Sequence, residues 1–135
     1  MKEELLSLQH ALFVIGAEVA TLVEDFPKLK RTINLDSITR IEKEINELEK
    51  YNDIDNWFIP GESPSSAHLE LSRTIARRLE RRLLHVEHHN EHTRIFVNRI
   101  SDYLWLLSQK EEYYIRGIER KSTEESKVKE QQTTI

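Results

Sequence analysis

The stretch Trp57-Phe58-Ile59-Pro60-Gly61-Glu62-Ser63 leads through Pro64-Ser65-Ser66 into a segment carrying Arg73, Arg77, Arg78, Glu80, Arg81 and Arg82. Five arginines fall within ten residues. At roughly 100° per residue, Arg73, Arg77 and Arg81 form one stripe of a helix, and Leu71, Ile75, Leu79 and Val86 form another. The spacing therefore predicts a helix from about Ser65 to Glu87 that buries an apolar face and displays guanidinium groups. Pro-Gly and Ser-Pro-Ser-Ser supply the stop and the capping residues that such a helix needs. Glu80, three residues after Arg77, is placed to orient that arginine by ion pairing. A guanidinium is a planar fork of donors that matches phosphate oxygens. The same pattern also fits a solvated face laced with salt bridges.

Composition narrows the choice. The chain has 135 residues, enough for one domain with a single core. Its formal net charge of −4 argues against a general nucleic-acid binder, so the arginine cluster is a local positive site on an acidic protein. That suits a discrete anion. No apolar run approaches the roughly 18 residues of a membrane span. The opening Met-Lys-Glu-Glu carries acid where a targeting peptide avoids it, so the expected location is cytoplasmic. The absence of cysteine removes disulfides and thiolate metal sites. Three glycines and three prolines leave room for long helices, and no useful strand alternation occurs.

The expected fold is all-α, an antiparallel bundle of four to five helices. Lys2 to about Leu22 reads as the first, with Leu5, Leu8, Leu12, Ile15, Val19 and Leu22 at helical spacing; Gly16 within it suggests a close helix crossing. Glu24 to Leu35 reads as a loop. Asp36 or Ser37 caps a narrow amphipathic helix to Lys50, whose apolar positions are Ile38, Ile41, Ile45 and Leu48. Tyr51 to Ser66 is a loop in which Trp57, Phe58 and Ile59 need either burial or a ligand. Thr93 to about Arg116 is the last helix, with a wide apolar surface from Ile95, Phe96, Ile100, Tyr103, Leu104, Trp105 and Leu107. Asn98, Arg99 and Asp102 inside it suggest a site or a buried network. Residues 1–118 are read as the bundle domain and 119–135 as a polar, disordered tail.

His85, His88, His89 and His92 include two i,i+4 pairs, a spacing that metal ligands use on helices. Asn90 at a helix–helix turn separates the pairs. We read a solvated turn and assign no metal.

Three segments resemble the PduO-type ATP:cob(I)alamin adenosyltransferase family. Phe58-Ile59-Pro60-Gly61 followed by Ser72-Arg73-Thr74-Ile75-Ala76-Arg77-Arg78-Leu79-Glu80-Arg81 is similar to F-I-L-P-G-G-S and A-R-T-x-x-R-R-A-E-R. Val97-Asn98-Arg99-Ile100-Ser101-Asp102-Tyr103-Leu104 is similar to L-N-R-L-S-D-Y-L, and Leu12 to Ala20 is a weaker third match. The resemblance covers roughly residues 5 to 110, in family order. It implies transfer of the 5′-deoxyadenosyl group of ATP to the cobalt of reduced cobalamin, with Mg²⁺ and with release of triphosphate. It places Arg73, Arg77, Arg78, Glu80 and Asn98 at ATP, and Trp57 and Phe58 beside the corrinoid. It further implies a homotrimer with each site between two subunits, Arg77 making an intersubunit salt bridge.

Departures accompany it. Trp57 stands where the family usually has Phe, and Glu62 where it has Gly. No Gly-rich T-K-T/x-G-D-x-G segment occurs, so the resemblance implies weak adenosyl transfer by the chain as it stands. The alternative reading is a non-catalytic protein of this fold that binds corrinoid or nucleotide or serves as an oligomeric scaffold.

Overall fold

The computed structural model describes residues 1–52, 57–86 and 90–133, with side chains as far as Arg116. Four α-helices occur among them: α1 (Lys2–Ala20), α2 (Leu35–Leu48), α3 (Pro64–Leu83) and α4 (Glu91–Thr133). Short 3₁₀ turns occupy Val23–Lys28, inside the expected loop, and Glu49–Tyr51. Contacts fix the directions. Glu18 meets Thr93, while Ile33 meets Asn90 and Glu42 meets Arg99. Ser66 meets Glu112 and Glu80 meets Asn98. So α1 and α3 run against α4, α2 runs with it, and each helix reverses the one before. The expected antiparallel all-α bundle is what the chain forms.

Local chemistry sets the helix starts. Asn34, rather than Asp36 or Ser37, caps α2 by accepting from the Ser37 N–H at 3.1 Å. Ser63 caps α3 by accepting from the Ser66 N–H at 3.2 Å, and Pro64 follows where its missing donor costs nothing. Asn90 accepts from the His92 N–H at 3.0 Å at the start of α4, and its amide donates to the Ile33 carbonyl at 2.5 Å. Asn90 thus lies at the helix–helix connection. His88, His89 and the linker residues 53–56 lie outside the described residues.

The core is built around α4. Phe96, Val97, Ile100, Tyr103, Leu104, Leu106 and Leu107 are all buried there. Against them pack Ile38, Ile41 and Leu48 of α2 and Leu69, Ala76 and Leu83 of α3. Full burial of one such aliphatic side chain contributes roughly 1.5–3 kcal/mol. Ile95, counted with the core from its spacing, is more than a third exposed.

Periodicity misplaces two apolar stripes. On α3 the buried seam is Ser66, Leu69, Ala76 and Leu83, while Leu71 and Ile75 are 59% and 55% exposed. Small Ala76 and capped Ser66 carry little hydrophobic signal, yet they allow close approach to α4. On α1 only Ile15 is buried among the expected apolar residues; Leu5 and Leu8 are partly covered, and Leu12, Val19 and Leu22 are exposed. Gly16 marks no close crossing, since a Cβ there would meet nothing within 4 Å.

The seam of α1 instead contains Glu18, fully buried. Its carboxylate accepts from the Ile33 N–H at 3.2 Å and from the Thr93 hydroxyl at 2.9 and 3.0 Å. A buried charge is tolerated only when it is hydrogen-bonded in this way.

The last helix does not stop near Arg116. Its backbone stays helical to Thr133. Residues 117–133 contain no proline and are rich in Glu, Lys, Arg and Gln, which favour helix even without an apolar face.

Candidate functional site

Because Leu69, Ala76 and Leu83 turn toward α4, Arg77, Arg78, Arg81 and Arg82 turn toward solvent. Arg73 differs. It is half-buried and its guanidinium grips Glu70 through Nε at 2.8 Å and Nη2 at 2.5 Å. That hydrogen bonding raises its pKa above the ordinary arginine value, against the opposing effect of burial. The guanidinium also lies 5.9 Å from the Trp105 ring centroid.

Glu80 does not pair with Arg77. It accepts a hydrogen bond at 2.8 Å from the amide of Asn98, which joins α3 to α4. Arg77 and Arg78 consequently make no hydrogen bond or ion pair among the described residues, and their forks remain open to an anion. Nor do Asn98, Arg99 and Asp102 form a buried network. Asn98 and Asp102 are exposed, and Arg99 reaches Glu42 at 3.3 Å and Asp102 at 3.9 Å at the surface.

The aromatic loop is divided between inside and outside. Phe58 is buried, whereas Trp57 is 54% and Ile59 79% exposed. Trp57 donates from Nε1 to Asn52 at 3.1 Å and meets Trp105 edge-on, with centroids 5.5 Å apart. Gly61 takes φ +124°, a left-handed conformation that glycine adopts without strain.

Three α4 side chains hold this loop. Gln109 accepts from the Phe58 N–H at 3.0 Å and donates to its carbonyl at 2.8 Å. Glu112 accepts from the N–H groups of Gly61 and Glu62 at 3.2 and 3.1 Å and from the Ser66 hydroxyl. Arg116 donates to the Ile59 carbonyl at 2.7 Å and pairs with Glu112 at 2.9 Å. Burial opposes ionisation of Glu112. The Ser66 hydrogen bond, the Arg116 charge and the two backbone N–H groups outweigh it and hold the carboxyl below the usual range.

Trp105 is where the two halves meet. The arginine helix reaches it through Arg73, and the aromatic loop through Trp57. Asn98 lies seven residues earlier, on the same face of α4. The site is an open face rather than an enclosed cleft. A groove of 990 Å³ lies elsewhere, between α1 and α2, beside Lys30, Arg31 and Arg40. A cleft of 460 Å³ beside Trp105 is lined by Glu42, Glu49 and Asp102 against a single cation among the described residues, Arg99, a poor seat for an anion.

A family model described as cobalamin adenosyltransferase matches residues 1–111. The chain belongs to that family. A corrinoid adenosyltransferase of Citrobacter freundii is 33% identical over 116 residues, covering 83% of this chain and 66% of the relative. One from Bacillus subtilis (strain 168) is 34% identical over 110 residues, covering 76% and 53%. The fold is similar to a solved variant of the PduO-type ATP:corrinoid adenosyltransferase from Lactobacillus reuteri, complexed with cobalamin and ATP. There the TM-score is 0.74 and the identity 27%, with 84% of this chain and 63% of that chain covered. The chain spans about two thirds or less of the length of these adenosyltransferases.

Sequence reasoning missed Glu70, Gln109, Glu112 and Arg116. A signal existed for the last three. Continued from Trp105 at spacings of four, three and four, they fall on the stripe that Asn98 and Trp105 already mark.

Proposed function

We propose that this chain transfers the 5′-deoxyadenosyl group of ATP to the cobalt of a reduced corrinoid. The cobalt(I) electron pair forms the Co–C5′ bond, the C5′–O bond breaks, and triphosphate leaves with the electrons of that bond. Family membership and the ligands named for the Lactobacillus reuteri structure support the substrates. The observation that carries the reading is the convergence on α4: free arginines and the Asn98–Glu80 pair on one side of Trp105, the exposed Trp57 on the other.

Arg77 and Arg78, both unpaired among the described residues, meet the triphosphate and stabilise the charge that develops on it. Arg73 joins them by exchanging part of its contact with Glu70 for phosphate. Asn98 and Glu80 fix the nucleotide's position at the junction of α3 and α4. Trp57 forms the corrinoid side, backed by the buried Phe58, with the larger indole standing where relatives usually have phenylalanine. No protein nucleophile is required, because the substrate cobalt is one. Mg²⁺ belongs on the nucleotide phosphates in this reading, where it neutralises charge. Among the described residues no three His, Cys, Asp or Glu gather into a metal site.

The working state in this reading is a homotrimer in the cytoplasm, with each site closed by a neighbouring subunit. Exposed Phe13, Leu71 and Ile75 supply apolar surface for that association. No helix among the described residues is long and apolar enough to cross a membrane.

The test is formation of adenosylcobalamin from ATP–Mg²⁺ and chemically reduced cobalamin, followed by absorbance, beside separate titrations with each substrate. Binding of both with transfer above the uncatalysed rate supports the enzyme. Binding without transfer favours a corrinoid- or nucleotide-binding protein, and binding of neither overturns the enzyme and leaves the oligomeric scaffold.

A further inference from the structure

We infer that Gln109, Glu112 and Arg116 are positioning residues: they set the backbone of the loop that presents Trp57 to the corrinoid. This role rests on the functional reading above. The three side chains lie at i, i+3 and i+7, one face of α4. Together they satisfy five backbone groups between Phe58 and Glu62.

Two observations separate this arrangement from ordinary loop packing. The first is cost. Gln109 and Glu112 are essentially unexposed, and placing a carboxylate there is expensive even when it is paired. Apolar side chains under the loop would leave these five backbone groups unpaired, so the loop's path and its polar anchors are matched to each other. What a hydrogen-bonded tether adds is a defined backbone path. The second is what the tether leaves outside. It clamps Phe58 N–H and C=O and the Ile59 carbonyl, yet Trp57 and Ile59 remain largely in solvent. The backbone is thus secured without either side chain being buried, and Trp57 stays against Trp105 at the surface. Here the backbone is fixed and the apolar groups are held out, which is how a preformed apolar wall for a ligand is made. Arg116 also lies 5.2 Å from the Phe58 ring centroid, so the tether reaches one of the two aromatic side chains directly.

The experiment compares the unmodified chain with Gln109→Leu and with Arg116→Met. The second variant alters a partly exposed position and guards against a folding failure of the first. Three quantities are read: amide hydrogen exchange at Phe58 and Ile100, affinity for cobalamin, and affinity for ATP–Mg²⁺. We expect Phe58 exchange to accelerate at least tenfold and cobalamin affinity to fall at least tenfold. ATP affinity should stay within twofold and Ile100 should remain protected. Parallel loss of ATP affinity and of Ile100 protection would show a framework role and overturn the inference. So would faster loop exchange with cobalamin affinity unchanged. An unmodified chain that binds no cobalamin sinks the functional reading and this role with it; it is recognised because the loop exchange still responds to the substitutions.

Discussion

Asn98 on α4 donates its side-chain amide to Glu80 on α3 at 2.8 Å, one helical turn past Arg77. This bond decides which groups are free. By taking Glu80, Asn98 removes the carboxylate that would otherwise neutralise Arg77.

Because the Asn98–Glu80 pair is proposed to position the nucleotide as a unit, Asn98→Ala and Glu80→Ala should weaken ATP binding in a coupled way. A neutral-to-charged hydrogen bond contributes about 1.5–3 kcal/mol, so each single change is expected to cost roughly tenfold in affinity. The double variant should lose little more than the worse single one, with a coupling of about 1 kcal/mol. Titration calorimetry on the four proteins checks this; strictly additive losses would mean that the pair does not act as a unit at the nucleotide.

Arg77→Ala should weaken ATP–Mg²⁺ binding by tenfold or more, and Arg82→Ala by far less. Both side chains are exposed, so neither substitution threatens the core. The distinction comes from position on the helix: Arg77 follows Arg73 by one turn along the stripe that leads to Trp105. Charge-assisted contacts are worth roughly 1.5–3 kcal/mol each. Equal effects would reduce the stripe to a solvated face.

Acid should loosen the aromatic loop. The Glu112 carboxyl has a folded pKa below its unfolded value, so its contribution is complete above the unfolded value of about 4.3 and is lost as pH falls through the folded one. Acrylamide quenching of tryptophan fluorescence should therefore increase below about pH 4 before the helices melt. Glu112→Gln keeps an acceptor oxygen and loses the titration, so its loop should show no such early phase. The same early phase in that variant would assign the transition to another group.

Light scattering should give a mass near three times the 16.1 kDa of one chain. Ile75, 55% exposed and one turn from exposed Leu71, lies beside the arginines. Ile75→Asp should shift the assembly toward monomer at micromolar concentration while leaving helicity intact. A monodisperse monomer before substitution would remove the trimer from the proposal.

Helix existence was legible in the sequence because few breakers interrupt it, and the order and approximate bounds of α1 to α3 followed. The apolar face of α2 was also legible: Ile38, Ile41 and Leu48 are buried, and Ile45 packs against them. Faces on α1 and α3 were not, for a physical reason. Each helix carries two plausible stripes, and hydrophobicity favours the one with Leu71 and Ile75. Close packing selects the one with Ala76, where a small side chain lets α3 approach α4. Periodicity weighs residues by greasiness; packing also weighs them by volume.

The arginine segment, Asn98 and the aromatic loop are found from their motifs, and the fold brings Glu80 to Asn98 and Trp57 to Trp105. Their anchoring is hidden. Gln109, Glu112 and Arg116 read as the polar end of a helix until their partners, about fifty residues earlier, are in view. Apolar periodicity ends α4 too early, because a helix can outlast its apolar face.

Glu18 gives the molecule an order of events. Its two partners are Ile33, 15 residues later, and Thr93, 75 residues later. During synthesis α1 emerges first, yet its carboxylate cannot leave water until the start of α4 has been made. Until then, docking α1 would bury a charge with two of its three hydrogen bonds missing, a cost that exceeds what Ile15 alone returns. Docking of α1 is accordingly tied to the start of α4, 75 residues away. Thr93→Val should therefore lower hydrogen-exchange protection of α1 amides more than that of α3 amides.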